Sequence, residues 1–141
     1  MTVSKILQNK GSNVYAIGSD ATVLDALKLM GEKNIGALPV IDNAVLTGIV
    51  SERDYARKVV LKGKNSSDTR VKEIMTEAPF VVGADDSIET CMSIMSSKKI
   101  RHLPVVKDGV VIGMISIGDV VTAIIDMQRE TIDQLKNYIS Q

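Results

Sequence analysis

The segment GIVSERD, running from Gly48 to Asp54, is written twice in this chain. It returns as GMISIGD from Gly113 to Asp119, 65 positions later. At that same offset, with no gap, Gly18, Asp20, Met30, Lys33, Ile35, Leu38, Pro39, Val40, Val45, Gly48, Ser51 and Asp54 all meet identical residues. A duplication in register limits the fold more than any other feature, because whatever one copy builds the other must build too. Each segment reads as a short buried strand running into a helix. Ser51 and Ser116 stand at N-cap positions, with a hydroxyl placed to accept from the next turn's amides. Asp54 and Asp119 fall in the first helical turn, beside N–H groups that lack helical partners and the positive end of the helix dipole. An ordinary capped helix would use the same residues. Their repetition makes the junction a candidate polar site.

The rest of each copy follows the same order. Residues 14–17 (VYAI), ended by Gly18, predict a strand. A helix then starts at Asp20 or Thr22, where Thr22 and Asp25 have capping-box spacing. Its apolar stripe is Val23, Ala26, Leu27 and Met30. Residues 38–41 and 46–50 predict a hairpin turning at Asp42 and Asn43, and Pro39 suits an edge strand or a strand's first residue. Residues 52–61 predict the second helix. In the second copy, residues 80–82 predict a strand, and Ser87 starts a helix striped by Ile88, Cys91, Met92 and Met95. Residues 103–106 and 110–115 predict the hairpin, and the last helix begins at Gly118 or Asp119. A short segment, VSKIL from Val3, reappears as VKEIM from Val71, and each is expected to pack as a lead-in to the repeat it precedes. The organisation is therefore 1–62 for the first repeat with its lead-in, 63–70 for a polar, flexible linker, 71–126 for the second repeat and 127–141 for a helical extension. Along the last helix and into that extension, Val121, Ile125, Ile132, Leu135 and Ile139 form a heptad-like seam interrupted by Gln128, which points to a homodimer.

Composition narrows the function. Lys plus Arg equals Asp plus Glu, 17 each, so no charge excess draws the chain to nucleic acid or to an anionic membrane. No run reaches the length of a membrane span. The N-terminal residues lack a long apolar stretch of the signal-peptide kind, and the single cysteine cannot form an internal disulfide, so a reducing cytoplasm is expected. Cys91 lies in an apolar stripe and reads as core rather than nucleophile. No zinc spacing and no glycine-rich phosphate loop is written in the sequence. Asp85 and Asp86 read as capping residues rather than metal ligands. These features argue against an enzyme.

One copy alone would leave a face of its three-stranded sheet wet. Two copies can bury those faces together about an approximate two-fold axis, which creates a pair of related clefts where small ligands bind. The repeated G-h-h-S-x-x-D motif, preceded by IGALPV (from Ile35) and IRHLPV (from Ile100), with the lead-in VKEIMT (from Val71), resembles a tandem pair of CBS domains, a Bateman module. The resemblance covers nearly the whole chain. It implies an α/β (α+β) fold of two β-α-β-β-α repeats packed sheet to sheet, extended by a C-terminal helix.

It also implies a non-catalytic regulatory module that binds an adenine nucleotide (AMP, ADP, ATP or NAD) between the repeats and acts on a partner protein. A structural homodimerisation domain with empty clefts is the alternative. Carried over from the family, one cleft would combine Ser51, Arg53 and Asp54 with Thr76, Phe80, Val81, Arg101 and His102. The aspartate would hold the ribose hydroxyls. The mirror cleft would combine Ser116 and Asp119 with Tyr15, Ile17 and Ala37. The repeats differ where Arg53 becomes Gly118 and where Gly36 and Ala37 become Arg101 and His102. Both changes are expected to load positive charge into the Asp54 cleft, which alone would hold the two arginines and the histidine. That cleft should then grip a phosphate tightly, and the Asp119 cleft weakly, or only a nucleoside-like group.

Overall fold

The computed structural model describes residues 1–11 and 13–140. In chain order the elements are α1 (Val3–Lys10), α2 (Val23–Lys33), β1 (Ala37–Asp42), β2 (Val45–Ser51), α3 (Glu52–Tyr55), a π-helical turn (Ala56–Val60), α4 (Val71–Ile74), β3 (Thr76–Glu77), α5 (Ile88–Lys98), β4 (His102–Lys107), β5 (Val110–Ser116) and α6 (Ile117–Ser140).

The duplication is visible down to the hydrogen-bond register. Ala37 pairs with Ser51 and His102 with Ser116, and the ladders shift at matching points, between Val40 and Ile41 and between Val105 and Val106. Helices α2 and α5 start alike, with Thr22 Oγ1 accepting from the Asp25 amide and Ser87 Oγ from the Thr90 amide. They end alike too, on Asn34 and Lys99 in the left-handed region. Both hairpins turn through two positive-φ residues, Asn43–Ala44 and Asp108–Gly109, so the first turn lies one residue later than the sequence suggests.

Two expectations about the elements are corrected. The first strand of each repeat is reduced to a single parallel bridge, Ile17 to Val40 and Val82 to Val105. These short runs have polar or turn neighbours on both sides, and β1 and β4 offer them only one bonding step. β1 remains an edge strand in the order β1-β2-β3, which accommodates Pro39. The helix expected over residues 52–61 is one α-turn followed by the π-helical turn. Each half has its own apolar cluster, the first around Leu38, Val40, Met30 and Val50, the second around Leu103, Val105, Met95 and Ile115.

The largest correction concerns the lead-ins, which cross over. Val3, Ile6 and Leu7 of α1 are buried in the second half's cluster, while Val71 and Ile74 of α4 are buried in the first half's. The backbone follows: the Val3 amide donates to Asp86 O (2.9 Å) and the Val71 amide to Ala21 O (2.9 Å). Lys72 adds an ion pair to Asp20 at 2.8 Å. The glycine that opens each repeated motif is what admits the crossing helix. A Cβ on Gly48 would lie 2.8 Å from the Met75 sulfur and 2.8 Å from Thr76 O, and one on Gly113 would lie 2.6 Å from Leu7 Cδ2. Each half is thus completed by a helix from the other, and β2 and β5 meet between the halves. Residues 63–69, expected as a loose connector, are tied down: the Leu24 amide donates to Ser66 O (3.0 Å), and buried Thr69 donates to Asn65 O (2.8 Å).

Helix α6 packs on the second core as far as Met127 and then leaves the fold. Val120 and Ala123 face the second core, but Val121, Ile125, Ile132, Leu135 and Ile139 are all exposed. No helix among the described residues is long and apolar enough to cross a membrane.

Candidate functional site

Two clefts open between the halves. The first, about 440 Å³, is lined by Ser51, Arg53 and Asp54 from the β2–α3 junction, by Thr76 through Phe80, and by Lys99 through His102. Arg57 and Lys58 of the π-helical turn complete it. The second, about 410 Å³, is lined by Ser116 and Asp119 from the β5–α6 junction, by Tyr15, and by Gly36 and Ala37. Lys10, Asn13, Asn34 and His102 also line it. Most of the residues singled out in the sequence therefore meet as paired. Two do not. Val81 is exposed outside the first cleft. Ile17 packs against the first core through its bridge to Val40 and stays outside the second cleft.

The two aspartates are held by their own caps. Ser51 Oγ accepts from the Asp54 amide (3.2 Å), and Asp54 Oδ2 accepts from the Ser51 amide (2.9 Å) and hydroxyl (3.1 Å). The Ser116–Asp119 pair repeats the box at 3.1 and 2.8 Å. The capped-helix and polar-site readings are thus compatible, because the cap itself fixes the carboxylate at the cleft wall. Each aspartate also meets a lysine, from different places. Lys58, on the same helical stretch, lies 3.3 Å from Asp54 Oδ1 and donates to Ile74 O (2.8 Å). Lys10, from the crossing helix α1, lies 2.7 Å from Asp119 Oδ2. Burial raises the Asp119 carboxyl, but the hydrogen bonds from Lys10 and from Ser116 outweigh it and leave the group below its ordinary value.

The charge contrast between the clefts survives in altered form. The first gathers Arg53, Arg57, Lys58, Lys99 and Arg101 against Asp54 and Glu77. Among the described residues no arginine lines the second, but Lys10 does, so it is not free of cations. His102 belongs to both clefts rather than to the first alone, because it stands at the wall between them against Gly36. Burial, with Lys10 and Arg101 working against Asp119, holds its imidazole below the usual range. It therefore brings no charge to the first cleft at neutral pH, and the arginines and lysines carry that role.

Arg57, Lys58, Lys99 and Lys10 were not legible as site residues. Arg57 and Lys58 sit on a helix face whose direction depends on the π-turn, which widens the helix locally. Lys10 reaches its cleft only because α1 crosses to the other half. The apolar rim is symmetrical: Lys33 stands over the Tyr15 ring at 4.9 Å and Lys98 over the Phe80 ring at 5.2 Å. Cys91 is buried in the second core, as its stripe suggests. Among the described residues no group of three or more His, Cys, Asp or Glu could hold a metal ion.

A family model for the CBS domain matches residues 3–61 and 71–126. The chain belongs to the CBS-domain family. A mitochondrial CBS domain-containing protein of Arabidopsis thaliana is 41% identical over 149 residues, covering 98% of this chain and 71% of the relative. The solved structure of a signal-transduction protein with CBS domains from Burkholderia ambifaria superposes with a TM-score of 0.86 at 48% identity, over 89% of this chain and 95% of that one. A CBS domain pair solved in complex with methylthioadenosine and S-adenosyl-L-methionine superposes with a TM-score of 0.78 at 25% identity, over 88% of this chain and 95% of that one. The two matched CBS segments each begin with a lead-in helix. In this CBS pair those helices are the ones exchanged between the halves.

Proposed function

We propose that this CBS pair is a non-catalytic regulatory module that binds an adenine nucleotide in the first cleft, with the phosphate among Arg53, Arg57 and Arg101. The observation that carries the reading is the placement of a fixed carboxylate, Asp54, beside a cluster of guanidinium groups in one inter-repeat cleft. A carboxylate suits two adjacent ribose donors, and planar guanidinium forks suit phosphate oxygens. The related pair with two adenosine derivatives bound supports an adenosine-type ligand. The second cleft, without arginines, suits a nucleoside-like group.

A ligand that binds only the native state must raise the melting midpoint. At a hundred times its Kd the stabilisation is about 2.7 kcal/mol, several degrees in Tm. AMP, ATP, NAD and S-adenosylmethionine are the ligands to try. Stabilisation by at least one is expected, and its absence with all four would favour a purely structural dimerisation domain.

The exposed seam on α6 supports a homodimer as the form in which the module acts. Five exposed large apolar residues, on a 4-3 spacing broken at Gln128 and running past the end of the second core, are covered well by a second copy of the same helix. Sedimentation at micromolar concentration should show a dimer, and Ile132→Glu should dissociate it. A monomeric wild-type chain would overturn this part. Ligand binding across the halves would then shift their packing, which is how such a dimer could report occupancy to a partner protein.

A further inference from the structure

The lead-in helices cross in the same way but end differently. α4 stops after Ile74 and runs on as the extended strand β3 beside β2. α1 continues for another turn past Leu7 to Lys10. That extra turn delivers Lys10 to the mouth of the second cleft. Its ammonium donates to Asp119 Oδ2 (2.7 Å) and to Met114 O (3.0 Å). The same carboxylate oxygen also accepts from the Ser116 amide at 2.8 Å. The base of α1 is fixed by buried Val3, Ile6 and Leu7, so Lys10 is presented by a docked helix rather than by a free end.

We propose that Lys10 is the specificity-determining residue of the second cleft, a built-in competitor for the motif aspartate that weakens its hold on neutral ribose ligands. This rests on reading the clefts as nucleoside sites. A ligand whose ribose approached Asp119 would offer neutral hydroxyl donors in place of an ammonium that already bonds the carboxylate, and charge-assisted bonds are the stronger ones. In the first cleft the lysine is part of the same helical stretch as Asp54, sits farther off at 3.3 Å on the other carboxylate oxygen, and is held by Ile74 O. The lysine at Asp54 thus comes from its own helical stretch and the lysine at Asp119 from the crossing helix, although Asp54 is the less exposed carboxylate.

The test uses adenosine and AMP titrated into the full chain, with methyl NMR signals read separately. Met114 lines only the second cleft and Ile49 only the first. In Lys10→Met, adenosine affinity reported by Met114 should rise about five- to tenfold over wild type, the worth of a half-exposed ion pair and a backbone hydrogen bond. The Ile49 response should be unchanged, and Lys10→Arg should behave as wild type. A Met114 response in Lys10→Met that is absent, equal to wild type or weaker overturns the proposal. The Ile49 response judges the first-cleft reading separately, since its absence in both proteins would remove that reading whatever Met114 shows. Melting curves of the variant verify that α1 stays docked.

Discussion

Gly48→Ala is expected to lower the stability of this fold by about 1–3 kcal/mol, and Gly48→Val by about 3 kcal/mol or more. The cause is the crossing lead-in. A methyl at position 48 would meet the Met75 sulfur and the Thr76 carbonyl, both at 2.8 Å. The sulfur can swing aside, but the carbonyl is backbone, and β3 is paired to β2 at this point through Gly48–Glu77 and Ile49–Thr76. Gly113→Ala should cost less, because there the contact is with the tip of the Leu7 side chain. Gly31→Ala is the control. It lies exposed within α2 with nothing near the added methyl, and should raise stability by about 1 kcal/mol through helix propensity alone. Urea denaturation of the four variants reads all of this. A Gly48→Ala midpoint at or above wild type would mean that α4 does not lie where the crossing puts it.

The second large effect concerns the ligand. Arg53→Ala combined with Arg101→Ala should weaken AMP binding by about a hundredfold while changing adenosine binding by less than about threefold. Each arginine lost removes a charge-assisted hydrogen bond of roughly 1.5 kcal/mol at the low end, a discount suited to exposed side chains. Two such losses make about 3 kcal/mol, and every 1.4 kcal/mol is tenfold. Both side chains are exposed, and the bond Arg53 makes to Lys99 O is long at 3.5 Å. The fold should therefore hold within about 0.5 kcal/mol, so lost affinity reports the site and not unfolding. The AMP affinity of wild type should also fall with added salt, as it must where exposed cations hold an anion. Calorimetric titration measures both ligands. Equal losses for AMP and adenosine would place the phosphate elsewhere.

Much of this architecture could be read before any coordinates. Twelve identities at one offset announced two equal halves, and the hairpins and the α2 cap at Thr22 follow from local chemistry that each copy repeats. The aspartate–serine caps were equally plain. What the sequence does not reveal is which surface a short apolar segment covers. VSKIL and VKEIM look alike, and periodicity says that a face is buried without saying against what. The exchange of α1 and α4 between halves was hidden for that reason. Everything that depends on it was hidden too, including Lys10 on Asp119 and the steric role of Gly48 and Gly113. His102 was assigned to one cleft because the repeats were compared in pairs, whereas a side chain near the symmetry axis can face both. The π-turn that carries Arg57 and Lys58 into the first cleft has no marker in the run YARKVV.

The central claim is that the Asp54 cleft of this CBS pair is a phosphate-bearing nucleotide site. A crystal structure with AMP at saturating concentration tests it most directly. The account predicts ribose oxygens within hydrogen-bond reach of Asp54 and phosphate oxygens within reach of Arg53 and Arg101. AMP bound only beside Asp119, or a first cleft left empty at saturation, would contradict it.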